Sequence, residues 1–202
     1  VIETSTIFSI SAVAWAITSA SWGRASDKYG RRNIAVIGLV GYSVSIIALI
    51  TPLFLVEQKI LDLVYLLPLL ILGRLINGLI GSATRPAAFA YMADISDRSK
   101  RTKKFARLES SFLIGTIMGP MLGGFLFLYS KSLPFYVFAC CGFIASIGIY
   151  ISFPKHIIPK EKVEKVITKL SYKDKSVWPF LFIAALSSLC QASLLQSIGF
   201  FI

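Results

Sequence analysis

Residues 23–32 read GRASDKYGRR and join two long apolar stretches of the chain. Six such stretches occur along the 202 residues, which are 55% hydrophobic and only 15% charged. A helix that crosses the hydrocarbon core of a bilayer needs about 20 mostly apolar residues. Because lipid cannot satisfy open backbone groups, these stretches predict helices rather than an open sheet. The predicted fold class is therefore an all-α membrane protein.

The basic residues indicate how the helices are oriented. Of 21 Lys and Arg residues, 17 lie in three alternate connections, and connections rich in Lys and Arg stay in the cytoplasm. The net charge of +11 could also indicate nucleic-acid binding. However, the charges lie beside the membrane and no base-reading face remains, so no nucleic-acid partner is expected. The loops predicted to be cytoplasmic are 23–32, 95–104 and 155–175.

The apolar stretches predict three parts. Residues 1–154 form a half bundle that lacks its first helix, with spans at 2–22, 33–56, 63–94, 105–130 and 133–154. Residues 155–175 carry apolar side chains at helical spacing among lysines, which favours an amphipathic helix on the cytoplasmic surface over a soluble tether. Residues 176–202 begin a second half. Both ends look cut, so we expect a fragment of a longer protein.

The motif at 23–32 has the chemistry of a tight turn between helices. Gly23 and Gly30 allow positive φ, so very little chain can join two helices. Asp27 and Arg31 are four residues apart and can pair with each other or with a neighbouring helix. Arg31 and Arg32 are also expected to anchor this end at the cytoplasmic headgroups. Any tight cytoplasmic loop can contain such residues, but the full spacing is more demanding.

Three motifs together resemble signatures of the major facilitator superfamily. Residues 23–32 are similar to its loop between the second and third helices, and residues 74–81, RLINGLIG, to its fourth-helix signature. Residues 115–124, GTIMGPMLGG, are similar to the fifth-helix signature of its drug:proton antiporters. The segment 91–95 also resembles tetracycline and multidrug efflux members. The resemblance covers the whole chain, as helices two to seven of a twelve-helix bundle.

The resemblance implies a role for each motif. One set of residues would hold the cytoplasmic side closed and control conformational change: Gly23, Asp27, Gly30, Arg31, Arg32 and Asp94. A second set would form a bendable helix with a close, dry helix contact that limits leakage: Gly115, Gly119, Pro120, Gly123 and Gly124. Arg74 would take part in proton coupling.

The two arginines inside the fourth-helix segment also stand out on physical grounds. Arg74 lies about 16 Å along its predicted span at 1.5 Å per residue, near mid-bilayer. A charge there is expensive unless it faces a partner or water, which predicts either a functional charge or a buried structural pair. Its carboxylate partner is expected on the missing first helix, or water in its place. Arg85 precedes Pro86, which should kink the helix, and either snorkels or contacts substrate.

These observations favour a proton-coupled antiporter that exports small organic molecules or drugs by alternating access. The alternatives are a symporter for sugars or organic acids and a non-transporting membrane scaffold or sensor. Weak candidates for substrate contact are Asn77, Arg85 and Gln191. Neither enzymatic activity nor a metal or cofactor is expected, since the proton gradient supplies the energy. We expect a monomer in the cytoplasmic membrane, with the bilayer, protons and a small molecule as its partners.

Overall fold

The computed structural model describes residues 2–153, which are almost entirely helical. Short 3-10 turns at Leu63–Tyr65, Gly81–Ala83 and Arg98–Lys100 precede α3, α4 and α5. The predicted linker at 155–175 and the last predicted span, with Gln191, lie outside the described residues. The six α-helices of residues 2–153 are α1 Ile2–Tyr29, α2 Arg31–Glu57, α3 Leu66–Leu79, α4 Thr84–Asp94, α5 Arg101–Phe127 and α6 Leu133–Ser152.

The described helices agree closely with the predicted spans. Within residues 2–153, four helical segments are long and apolar enough to cross a membrane: Arg31–Glu57, Leu63–Asp94, Arg101–Phe127 and Leu133–Ser152. The first predicted span is also a helix, α1, of 28 residues. Its many serines and threonines leave it less apolar than the other four, and it does not meet the same criterion.

The connection between α1 and α2 is shorter than predicted. Helix α1 continues through the motif to Tyr29, and only Gly30 separates it from α2. Gly30 has φ 93°, a left-handed conformation that favours glycine, as predicted. The same expectation for Gly23 is wrong, because Gly23 lies inside α1 and Gly30 is the one glycine with positive φ in residues 2–153.

The fourth-helix segment is broken in the middle, one turn before Pro86. Pro86 has no N–H to donate to the carbonyl four residues earlier, and the 3-10 turn Gly81–Ala83 lies at that place. The kink predicted from this proline is therefore confirmed. Ala83 donates to the Ile80 carbonyl at 3.0 Å, so the carbonyl of Leu79 loses the helical partner that Ala83 would supply.

Side chains of α1 compensate for this break. The Trp22 Nε1 donates to the Leu79 carbonyl at 2.6 Å. The Thr18 hydroxyl lies 3.0 Å from the Gly78 carbonyl oxygen and 2.9 Å from the Ser82 hydroxyl. Buried backbone groups need such partners, and more so in lipid than in water. The polar character of α1 thus has a structural use at the broken segment.

Helix α2 is the central helix of the bundle and packs against α1, α3, α4 and α6. Its glycines bring the neighbouring backbones close. A Cβ added at Gly38 would clash with the backbone and side chain of Thr84, and one added at Gly41 would clash with Ile80. Gly142 of α6 approaches Ser43 in the same way. Small residues at such crossings are the usual means of close helix packing in membranes.

Helix α5 packs very differently. It makes its main contacts with α4 and α6, and none of its residues is buried. Among the described residues, nothing lies within 4 Å of a Cβ added at Gly115, Gly119 or Gly124, and one at Gly123 would lie 3.5 Å from the Phe138 ring. The close helix contact predicted for this stripe is therefore not formed within residues 2–153. The helix continues unbroken through Pro120.

Candidate functional site

The charge contact that the family resemblance implies between Asp94 and the motif at 23–32 is present. It lies where the ends of α1 and α4 meet the start of α2. The Arg31 Nε donates to Asp94 Oδ2 at 2.9 Å, and its Nη1 donates to the Ser26 hydroxyl at 2.6 Å. The remaining guanidinium nitrogen pairs with Asp27 on the preceding turn. We call these four residues the Arg31 clasp. One guanidinium thereby joins the end of α1, the start of α2 and the end of α4.

The two carboxylates of the Arg31 clasp are not equivalent. The side chain of Asp94 is 23% exposed and that of Arg31 is 18% exposed, whereas Asp27 is 63% exposed. Interactions between exposed charges are weakened by water and salt, and partly buried ones are weakened less. The Arg31–Asp94 pair is therefore the stronger link, and it is also the one that joins different helices.

Other basic side chains stabilise the end of α4 beside Asp94. Arg101 donates to the Ala93 carbonyl at 3.3 Å, and Lys104 donates to the Ile95 carbonyl at 2.9 Å. A helix carries partial negative charge at its C-terminus, where an acidic residue is unfavourable and cations are favourable. The three cations around the end of α4 offset both the helix dipole and the Asp94 carboxylate.

Arg32 contacts the end of α6. Its Nη1 donates to the Phe153 carbonyl at 3.2 Å, and its guanidinium carbon lies 4.6 Å from the centre of the Tyr150 ring. Tyr91 of α4 stacks on Phe153 with the ring centres 4.2 Å apart. Arg32 thus makes contacts within the bundle, and its anchoring at the headgroups stays a prediction. We call this end of the bundle, which the Arg31 clasp and Arg32 hold together, the basic end.

Arg74 lies in α3, half-buried and turned toward α2. It interacts electrostatically with Tyr42 of α2. One turn further along α3, the Asn77 side-chain amide donates to the Ser45 hydroxyl of α2 at 3.1 Å. The phenol of Tyr42 is thus one neighbour of this guanidinium. Asn77, a weak candidate for substrate contact, is engaged in the packing of α2 against α3.

Arg85 forms an ion pair that the sequence analysis missed. Its Nη2 lies 2.9 Å and 3.0 Å from the two carboxylate oxygens of Glu109 on α5. The guanidinium is directed toward the neighbouring helix α5, and its snorkelling to the cytoplasmic face stays a prediction. Matching depths could have revealed the pair: Arg85 is nine residues before the end of α4, and Glu109 is eight residues after the start of α5.

Taken together, these features define a class of protein. Helices of membrane-spanning length carry arginines within the spans, and ion pairs tie several helices together at one end. Charges placed inside a membrane bundle in this manner mark substrate or ion pathways rather than passive packing. The molecule is thus a multi-pass membrane protein with the construction of a transporter.

The family follows from comparison with known proteins. The model of the Major Facilitator Superfamily matches residues 1–202, and the chain belongs to that family. It is 33% identical over 135 residues to the class B tetracycline resistance protein of Escherichia coli, covering 66% of the chain and 30% of that protein. It is 30% identical over 167 residues to the quinolone resistance protein NorA of Staphylococcus aureus, covering 80% and 40%.

A third relative gives the same result. The class D tetracycline resistance protein of Salmonella ordonez is 33% identical over 140 residues, covering 69% of the chain and 32% of that protein. The matched part thus spans about a third of the length of these relatives. No solved structure matches the chain. The protein is a multi-pass protein of the cytoplasmic membrane, as the sequence predicts, and its family consists of transporters of small molecules.

Proposed function

We propose that the protein exports small organic molecules from the cell in exchange for protons, by alternating access. The observation that carries the proposal is the Arg31 clasp, a partly buried charge contact that joins three helices at the basic end. A contact of this kind favours the conformation in which those helix ends are together. Opening the protein to the cytoplasm would break it, so its strength sets the balance between the two conformations.

The names of the relatives support export as the direction of transport. Two are tetracycline resistance proteins and one is a quinolone resistance protein. The glycine stripe of α5 supports the same subgroup by resemblance to the antiporter signature. Its open face in residues 2–153 is available to a helix outside them. Such a contact would form the close, dry packing that the antiporter role requires.

Arg74 is the residue we assign to proton coupling. It lies in a membrane-crossing segment, half-buried beside Tyr42, where a permanent positive charge is costly to keep. A fixed guanidinium favours the ionised form of any carboxyl that comes close to it and thereby promotes release of its proton. Arg74 would supply that charge to a carboxyl group when the helices rearrange.

Transport in proteoliposomes tests the proposal directly. The protein, expressed from its complete gene, is reconstituted, and the vesicle lumen is made more acidic than the outside. An antiporter then accumulates tetracycline or a quinolone in the lumen as protons leave, whereas a symporter depletes the lumen of its substrate. Accumulation that disappears with a protonophore is the expected result. Absence of any proton-driven movement of either compound would overturn the assignment.

Variants of the Arg31 clasp test the conformational role. Arg31→Ala should abolish accumulation while the protein still inserts and purifies. The exchange of charges in Arg31→Asp/Asp94→Arg should restore part of it, since the attraction between the helices returns. Arg24→Ala is the matched control, because Arg24 lies at the same helix end and its side chain donates to Ser21 of its own helix, at 3.4 Å. Full transport by Arg31→Ala would contradict the role.

A further inference from the structure

The ion pair between Arg85 and Glu109 joins α4 to α5 within the predicted spans, and both side chains are half-exposed. Both residues lie about 12–14 Å from the basic ends of their helices at 1.5 Å per residue. Their side chains are 48% and 43% exposed. Half-exposed charges at this depth are too expensive to face lipid and are found beside water-filled cavities. The exposed side of the pair therefore borders a wet space between helices.

Aromatic rings flank the pair on both helices. The Arg85 guanidinium carbon lies 5.1 Å from the centre of the Phe112 ring and 5.9 Å from that of Phe89. The two rings are nearly parallel, with centres 6.3 Å apart, and Phe105 stacks on Phe89 at 5.6 Å. Flat aromatic faces beside an open ion pair offer both stacking and charge recognition.

The two opposite charges of the pair determine which ligand charges can be accommodated. A cation bound at Glu109 would leave Arg85 without its anion and next to a second positive charge. An anion bound at Arg85 would leave Glu109 without its cation and next to a second negative charge. Either outcome leaves one charge of the pair without a partner, which makes binding of a singly charged ligand less favourable. A ligand with one anionic and one cationic group inserts between the two side chains and leaves every charge paired.

The openness of this pair distinguishes it from the charges at the basic end. Arg31 and Asp94 are largely buried against each other, and Arg32 is held by carbonyl groups of α6. Those side chains are already engaged in holding helices together. Arg85 and Glu109 combine an intramembrane position with access from one side, as a ligand site needs.

We propose that Arg85 and Glu109, with Phe89 and Phe112, form a binding site for zwitterionic aromatic compounds. The inference rests on the proposed export function and adds to it a site and a class of substrate. The carboxylate of the ligand replaces Glu109 on the Arg85 guanidinium, its cationic group is accepted by Glu109, and its ring stacks against the phenylalanines. The site prefers compounds with both charges to compounds of the same shape with one.

A matched series of three ligands tests the preference on the unmodified protein. The series comprises a fluoroquinolone with a free carboxylate and a basic amine, its methyl ester, which is a cation, and its N-acetyl derivative, which is an anion. Binding is measured by ligand fluorescence with the purified protein from the complete gene in lipid nanodiscs. We expect the zwitterion to bind several-fold more tightly than either analogue, since an interaction between half-exposed charges contributes up to about 1 kcal/mol. Equal binding of all three overturns the proposal.

Single substitutions should then reverse the selection. Glu109→Gln is expected to weaken binding of the zwitterion several-fold and to favour the anionic derivative, while Arg85→Gln should favour the cationic ester. The charge exchange Arg85→Glu/Glu109→Arg should return the preference to the zwitterion. Glu57→Gln, at the exposed outer end of α2, is the control and should change nothing. Variants that keep the wild-type order of the three affinities assign the pair a purely structural role.

The two proposals can fail separately. If tetracycline or quinolone accumulation in proteoliposomes is proton-driven but the ligand series shows no preference, export stands and the site is wrong. If the wild-type protein moves neither compound, the export assignment itself fails.

Discussion

Helices α2 and α5 are each 27 residues long and each carries several glycines, but the two helices use them in opposite ways. In α2, Gly38 and Gly41 lie against Thr84 and Ile80, and nine residues of the helix are buried. In α5, Gly115, Gly119 and Gly124 face open space among the described residues, and no residue of the helix is buried. One helix is the fixed centre of the bundle, and the other is held from one side.

The difference also concerns the kind of contact. Helix α2 is held by close backbone approaches, whereas α5 meets α4 through stacked phenylalanines and the Arg85–Glu109 pair. Close packing resists small displacements, because any shift brings atoms into overlap. Ring stacking and a half-exposed ion pair tolerate more movement. The contrast teaches that a glycine repeat alone does not say whether a helix is fixed.

The largest loss of stability is expected from a methyl group added to α2, at the centre of the bundle. Gly38→Ala places a Cβ 3.0 Å from the Thr84 Cα and closer still to its backbone nitrogen, and a backbone cannot move aside cheaply. Overpacking of this kind costs about 1–3 kcal/mol, and more where the backbone must shift. Gly119→Ala, whose added Cβ meets nothing within 4 Å among the described residues, should cost less than Gly38→Ala. Thermal unfolding of both variants in detergent measures the difference. Equal unfolding midpoints would contradict the contrast between α2 and α5.

The next effect concerns the charges at the basic end. Asp94→Asn removes the partly buried carboxylate that accepts from Arg31 and should cost roughly 1.5–3 kcal/mol, the usual range for a hydrogen bond to a charged group. Asp27→Asn should cost less than about 1 kcal/mol, since Asp27 is mostly exposed. Chemical unfolding monitored by tryptophan fluorescence gives both values. A larger loss of stability for Asp27→Asn would mean that the main charge contact of Arg31 joins α1 to α2 rather than α2 to α4.

The two glycines of the motif at 23–32 provide a comparison within one sequence. Gly30→Ala forces a side chain into a left-handed conformation at φ 93°, at a cost of about 1–2 kcal/mol. Gly23→Ala lies on an open helical position and should be neutral or slightly stabilising. The yield of folded, monodisperse protein and its melting midpoint distinguish them. Similar losses of stability would mean that both glycines are needed for the turn between α1 and α2.

The smallest effect is expected where α4 meets α5. A double-mutant cycle with Arg85→Gln and Glu109→Gln should give a coupling energy below about 1 kcal/mol, because the pair is half-exposed. Unfolding midpoints of the two single variants and the double variant supply the cycle. Coupling of several kcal/mol would show that the pair fixes α5 as firmly as the glycines fix α2.

The helices and the Arg31–Asp94 contact were predictable, for different reasons. Apolar stretches of membrane length leave few alternatives to helices, so four described spans lie within a few residues of their predicted places. The pairing of Arg31 with Asp94 came from family resemblance, since 63 positions separate them in sequence. The helical state of Gly23 was missed because a glycine permits positive φ without requiring it.

The contacts that the glycines and Arg85 make could not be predicted from the sequence. A spacing of four residues identifies a shared helix face, but it does not say what lies opposite. The stripe on α5 was therefore expected to be packed, whereas Gly38, Gly41 and Gly142, which do pack closely, were not considered. Glu109 lies just before an uncharged run and became visible only when the antiparallel register of α4 and α5 was known.

The break at Gly81–Ala83 divides one membrane segment into two arms. The outer arm carries Arg74, and the inner arm carries Arg85 and Asp94. Hydrogen bonds from Trp22 and Thr18 keep the joint intact without locking the arms into one rod. Both arms pack against α2, the inner arm at Thr84 beside Gly38 and the outer arm through the hydrogen bond from Asn77 to Ser45. The segment thus places the charge near mid-membrane and the charges near the cytoplasm on two separate helices joined by a 3-10 turn.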